Sequence, residues 1–94
     1  MSKKAPSISP EEIVDLEVLS EREHELILYN DDVNTFEHVI ECLVKYCDHT
    51  FIQAEQCAYI VHFSGKCTVK SGTMEDLTPR CSALVDSGLS AEIV

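Results

Sequence analysis

LILYNDD, the segment Leu26–Asp32, joins a strand to a helix and so sets the order of the elements that follow. Apolar, β-branched and aromatic side chains predict a strand over His24–Asn30. The amide and two carboxylates at its end favour a turn, since short polar side chains bond to nearby backbone groups. A helical pattern begins within a few residues, so we expect the strand end and the helix start to lie close together.

Two helices are predicted between this strand and Gly65. Asn34 is expected to cap the first, with Glu37 completing a capping box, and Thr50 with Gln53 repeats that pattern for the second. Gly65 is a natural C-terminal stop. The apolar positions of the first helix recur at helical spacing, at Phe36, Val39, Ile40, Leu43, Val44 and Cys47. The inner stripe of the second is Ala54, Cys57, Ala58 and Val61.

The remainder of the chain predicts a strand at Cys67–Thr73, a helix within Met74–Ser87 and a last strand at Leu89–Val94. Pro79 is expected to kink this helix or delay its start, because proline lacks the backbone N–H. The order strand–helix–helix–strand–helix–strand predicts an α/β (α+β) domain in which one sheet layer packs on one helix layer. With 94 residues the chain holds one domain at most.

The N-terminal part differs in composition from the rest. Residues 1–10 are polar and include Pro6 and Pro10, and residues 11–23 are heavily acidic. We therefore predict a flexible N-terminal extension over residues 1–23 and a folded domain over residues 24–94.

The charge balance excludes some functions. The chain has seven Lys and Arg residues and seventeen Asp and Glu residues, which gives a formal net charge of −10. This charge argues against nucleic-acid binding and favours a cationic ligand or a basic partner. No apolar run is long enough to span a membrane, and no secretory signal follows Lys3 and Lys4. We expect a cytoplasmic protein with no membrane partner.

The five cysteines show no C-x-x-C spacing, and their odd number argues against a disulfide framework. Reduced thiols in an intracellular protein are expected. The four histidines do not form the usual zinc spacing with them, so we expect no metal and no cofactor.

A candidate site for a protonated amine follows from three acceptors. An ammonium group must keep hydrogen-bond partners when it leaves water. Asp31 offers charge, Asn30 an amide oxygen and neutral His62 a ring nitrogen. Capture of a peptide N-terminal amine is a known recognition mode. Two plainer interpretations stand beside it: Asp31 could be a solvated turn residue and His62 a packed helix histidine.

The segment Leu28–Lys66 resembles the ClpS family, bacterial adaptors that deliver N-degron substrates to a Clp unfoldase and its protease. The resemblance is carried by Asn30-Asp31-Asp32, Phe36-Glu37-x-Val39-Ile40, Ala54 and Val61-His62-Phe63-x-Gly65-Lys66. It implies a three-stranded antiparallel sheet packed on three helices, and a binding protein rather than an enzyme.

The resemblance also implies residue roles. Asn30, Asp31 and His62 would bind the α-amine of the substrate's first residue, whose side chain is Phe, Tyr, Trp or Leu. A hydrophobic pocket would be formed by Asp32, Asn34, Thr35, Phe36, Val39, Ala58, Val61 and Leu89. The family usually has Thr-Pro at Asn34-Thr35, and Met at Phe36 and at Ala58.

The partner implied is a Clp AAA+ unfoldase, either ClpA-like or ClpC-like. Glu75 and Arg80 align with family positions that contact it, and the N-terminal extension also engages it. An amine-binding module needs no self-association, so we expect a monomer.

Two other functions stay open on the residues alone. An enzyme could use Asp31, His62 and a cysteine as acid, base and nucleophile, but no nucleophile-elbow or cysteine signature supports it. A small protein-interaction domain of similar fold, like the C-terminal domain of the ribosomal stalk protein, would bind a partner without an amine pocket.

Overall fold

The computed structural model describes residues 24–94, and the predicted extension over residues 1–23 lies outside the described residues. The elements are β1 (His24–Tyr29), α1 (Phe36–Cys47), α2 (Phe51–Ser64), β2 (Lys66–Gly72), α3 (Met74–Asp86) and β3 (Ser90–Ile93). The predicted order of elements and the α+β class, with three strands and three helices, are confirmed.

The sheet is antiparallel, with β1 in the middle of the order β2-β1-β3. The end of β1 meets the start of both neighbours, since Tyr29 is opposite Lys66 and Ser90. The residue after the strand, Asn30, donates its backbone N–H to Gly65 O at 2.9 Å. This bond holds the end of β1 beside the end of α2, which is where the predicted site residues lie.

The core lies between the sheet and the helices. Leu26 and Leu28 from β1, Leu43 from α1, and Leu77 and Leu84 from α3 are almost completely buried. Burial of such side chains stabilises the fold by roughly 1.5–3 kcal/mol each.

The cysteines of the described region are free thiols, and two of them belong to the core. Cys42 and Cys47 are buried on α1, where each acts as a small apolar residue. Burial raises the pKa of the Cys47 thiol to about 11. These two side chains are therefore structural.

The predicted cap of α1 is wrong by one residue. Thr35, not Asn34, is the N-cap, and its side chain accepts the backbone N–H of His38. The Asn34 side chain instead donates through Nδ2 to Asp31 Oδ2 and to Gly88 O. The predicted cap of α2 is confirmed, with a complete capping box at Thr50, and so is the stop at Gly65, which has φ 93°.

Of the two effects expected of Pro79, a kink or a late start of the third helix, the late start does not occur. Thr73 caps α3, the helix begins at Met74, and Pro79 lies within it. The missing N–H of Pro79 leaves the carbonyl of Glu75 without its helical partner. Both residues are exposed, so water replaces that bond at little cost.

Candidate functional site

A cavity of about 290 Å³ opens at the end of β1, between the following loop and helices α1 and α2. It is lined by Asn30, Asp31, Asp32, Asn34, Phe36, Val39, Ala58, Val61 and His62. All of these belong to the set named from the sequence. Thr35 and Leu89, also in that set, do not line it. The binding roles of these residues stay predictions.

Asp31 folds the loop that forms one rim of the cavity. Its Oδ1 accepts the backbone N–H groups of Val33 and Asn34, each at 2.9 Å, and its Oδ2 accepts Asn34 Nδ2 at 2.8 Å. The bond from the Asn34 backbone lowers the pKa of Asp31 most, desolvation by burial acts against it, and the other two bonds add to the lowering. The carboxylate therefore stays ionised, and Oδ2 keeps room for a further donor.

Asn34 connects this loop to the turn between α3 and β3. Its Nδ2 also donates to Gly88 O at 2.9 Å, across 54 positions of sequence. His38 supports the same turn, because its Nε2–H donates to Ser87 O at 2.8 Å. The residue that follows the turn, Leu89, is 5% exposed.

Leu89 lines a small space of about 20 Å³ next to the cavity. Five residues line both spaces: Asn30, Asp31, Asn34, Val39 and Val61. Leu89 is therefore close to the cavity although it does not line the larger space.

His62 is placed by the end of α2. It precedes the Gly65 turn, whose N–H donates to Val61 O and whose carbonyl accepts Asn30 N, both at 2.9 Å. The ring is exposed, and neither of its nitrogens has a hydrogen-bond partner among residues 24–94. The imidazole is thus available to accept a bond from a ligand.

Four aromatic rings cluster beside the cavity, and two of them, Phe36 and His62, line it. The centroid of the Phe36 ring lies 5.0 Å from that of Tyr59 and 5.4 Å from that of His62. Phe63 lies 4.9 Å from His62 and 6.1 Å from Tyr59, measured in the same way. Sequence reasoning missed Tyr59 and Phe63. Tyr59 had a signal, since it stands three residues before His62 and so shares its side of the helix.

The cysteine-nucleophile alternative finds no support in the geometry. The described cavity has no cysteine in its lining. Burial is the main cause that raises the pKa of Cys57 to about 12 and that of Cys47 to about 11. A nucleophilic cysteine needs the opposite shift, because the thiolate is the reactive form.

The sequence is similar to known proteins over most of its length. Residues 20–92 match the family described as ATP-dependent Clp protease adaptor protein ClpS. The chain belongs to the ClpS family. The ClpS adapter protein of Thermosynechococcus vestitus is 33% identical over 86 residues, which are 90% of this chain and 92% of that protein. The one from Nostoc sp. is 38% identical over 72 residues, 76% of this chain and 74% of that protein. The resemblance found in the sequence is confirmed.

The two residues predicted to contact the unfoldase, Glu75 and Arg80, lie in different settings on α3. Glu75 is exposed in the first turn. Arg80 has a side chain that is 21% exposed, pairs with Asp48 at 3.1 Å and Asp76 at 3.2 Å, and donates to Tyr46 O at 3.0 Å. Arg80 therefore joins α3 to the end of α1, whereas the Glu75 carboxylate is open to a partner.

No helix of the described region, residues 24–94, has the length and apolar character needed to cross a membrane.

Proposed function

We propose that this ClpS-family chain binds the free α-amine and the bulky hydrophobic first side chain of N-degron substrates, and delivers them to a Clp AAA+ unfoldase. The observation that carries the proposal is the 290 Å³ cavity. One rim offers hydrogen-bond acceptors from Asn30, Asp31 and His62, while Ala58 and Val61 form an apolar wall. A monomer in the cytoplasm suffices for this role.

The two halves of the cavity match the two halves of an N-terminal residue. An ammonium group has three N–H donors, and the rim offers one acceptor from each of three side chains. The apolar wall suits a hydrophobic side chain that leaves the same α-carbon. A volume of about 290 Å³ lies below the range for drug-sized ligands, so the cavity suits one residue and not a large molecule.

The expected affinity follows from general magnitudes. Three charge-assisted bonds contribute about 1.5–3 kcal/mol each. Burial of one large apolar side chain adds roughly the same. After an association cost of at least ~4 kcal/mol, no more than about 8 kcal/mol is left, which corresponds to a micromolar Kd. Rapid release suits a protein that passes its ligand to another.

The test compares a Phe-initiated peptide with its N-acetylated twin and with a peptide that starts in Gly. We expect only the free-amine Phe peptide to bind, because acetylation removes the charge and two donors, and Gly lacks the side chain. Equal binding of the acetylated twin would refute the amine site. No binding of any peptide would favour the protein-interaction domain, and peptide turnover would favour an enzyme.

A further inference from the structure

A second and larger groove, of about 560 Å³, lies between α1 and α2 beside the amine cavity. Its apolar lining comes from Phe36, Ile40 and Val44 of α1 and from Phe51 and Tyr59 of α2. Phe36 lines both the groove and the cavity, so the two spaces are neighbours. We call this space the α1–α2 groove.

The apolar side chains that line the α1–α2 groove are far more exposed than the side chains of the core. Phe51 is 60% exposed, Tyr59 50% and Val44 40%. The opposite side of α2 is already buried through Ala54 and Ala58. A contiguous exposed apolar patch of this kind marks an interaction surface.

The charge of the groove indicates what occupies it. Glu37, Glu41 and Glu55 also line it, and none forms an ion pair within residues 24–94, where the recorded pairs all involve Arg80. Three carboxylates beside apolar walls favour a segment that combines apolar and basic side chains.

The same charge disfavours two other occupants. Residues 1–23 of this chain hold six carboxylates, at Glu11, Glu12, Asp15, Glu17, Glu21 and Glu23, against three cations, at Lys3, Lys4 and Arg22, so their formal net charge is −3. A second copy of the chain carries a formal net charge of −10. Like charges repel at such short range, so both would bind poorly.

The dimensions of the groove suit an extended peptide that starts in the cavity. Eight residues of α1 separate Phe36 from Val44, which is about 12 Å along the helix axis. An extended chain covers that distance in three to four residues at about 3.3–3.6 Å each. At the cavity end the Phe36 and Tyr59 rings are 5.0 Å apart, and Val44 and Phe51 lie towards the other end.

We infer that the α1–α2 groove binds about the third to fifth residues of the peptide whose first residue occupies the cavity, and that it selects there for Lys or Arg beside an apolar side chain. This inference rests on the proposed function. It adds a sequence preference, downstream of the first residue, to the recognition of the amine.

The experiment uses the full chain and three Phe-initiated ligands: Phe-Ala amide, a peptide beginning Phe-Ala-Lys-Leu-Lys, and the same peptide with both lysines replaced by Glu. We expect the Lys peptide to bind at least about fivefold more tightly than the Glu peptide, which is what two exposed ion pairs contribute. The preference should shrink at high salt, because exposed pairs are screened.

The matched variants separate local from overall charge. Glu41→Gln combined with Glu55→Gln removes two carboxylates from the groove and should abolish the Lys-over-Glu preference while Phe-Ala amide still binds. Glu25→Gln combined with Asp86→Asn removes two exposed carboxylates that line neither space, and should retain the preference. Glu25, Glu41 and Asp86 are exposed and Glu55 is half-buried, and circular dichroism of each double variant checks that the fold is intact.

The outcomes distinguish this inference from the proposed function. Equal affinity for the Lys and Glu peptides, with Phe-Ala amide still bound, would overturn the inference and leave the amine site standing. Failure of every free-amine ligand would overturn both. A preference that the groove variants keep would place the selecting charges elsewhere, and loss of unfoldase binding alone would assign the groove to the unfoldase.

Discussion

Replacing Asp31 by Ala tests the amine site most directly, because this carboxylate is the charged member of the three acceptors. A charge-assisted bond contributes about 1.5–3 kcal/mol, so Asp31→Ala should weaken binding of a Phe-initiated peptide between about tenfold and 150-fold. Fluorescence anisotropy of a labelled peptide at pH 7 measures the change. Asp86→Ala, at an exposed residue outside the cavity, removes the same charge and serves as the control.

The structure gives Asp31 a second role that this substitution also removes. Asp31 accepts three bonds from Val33 and Asn34. The loop is partly exposed, so water replaces part of what is lost, and we expect the free energy of unfolding in urea to fall by only about 1 kcal/mol. The variant should therefore remain folded.

Asn34→Ala separates the two roles of Asp31. It removes the side-chain bonds to Asp31 Oδ2 and Gly88 O but leaves the carboxylate charge in place. We expect a smaller loss of affinity than for Asp31→Ala. If Asn34→Ala costs as much, Asp31 acts by shaping the loop, and if Asp31→Ala keeps full affinity in a folded protein, the carboxylate does not bind the amine.

Three further predictions follow from the same cavity and from the N-terminal extension. Phe36→Ala should admit peptides that start in Ile or Val, because the ring at the mouth excludes branching near the backbone; a peptide panel that still rejects both contradicts this. His62→Ala should weaken binding of a Phe-initiated peptide, because it removes a ring nitrogen that would accept a bond from the ammonium group; unchanged affinity in this variant would make His62 a packing residue. The lowered pKa of Asp31 keeps that carboxylate ionised from pH 8 to pH 5. Deletion of residues 1–20 should leave peptide affinity unchanged but abolish stimulated degradation by the unfoldase; equal degradation rates would show that the extension takes no part in delivery.

Features that depend on neighbouring residues were predictable from the sequence. The capping box at Thr50 involves Gln53, three residues away, and both ends of this motif are visible in the sequence. The stop at Gly65 follows from the left-handed backbone that glycine adopts easily. Asn30, Asp31 and Asp32 were recognisable as a turn with acceptors because they are adjacent.

The misassigned cap shows where this reasoning stops. Asn and Thr are both good N-caps, and the Asn34 side chain instead bonds to Asp31 and to the carbonyl of Gly88, 54 positions away. Arg80 is a second example of a long-range bond, because its guanidinium donates to Tyr46 O, 34 positions away. Where a side chain has several possible hydrogen-bond partners, tertiary packing decides which of them it binds.

The sequence by itself determined the order of the strands and helices, most of their ends, and the chemical types available at the end of β1. These follow from hydrophobic periodicity and from bonds spanning a few residues. Only the tertiary structure decided that Asn30 and His62 line one cavity, that Leu89 lines a small space adjoining it, and that α1 and α2 leave an acidic apolar groove beside it. The reason is that such spaces lie between secondary-structure elements. Their shape depends on how side chains distant in sequence pack together, and the local sequence pattern carries no information on that packing.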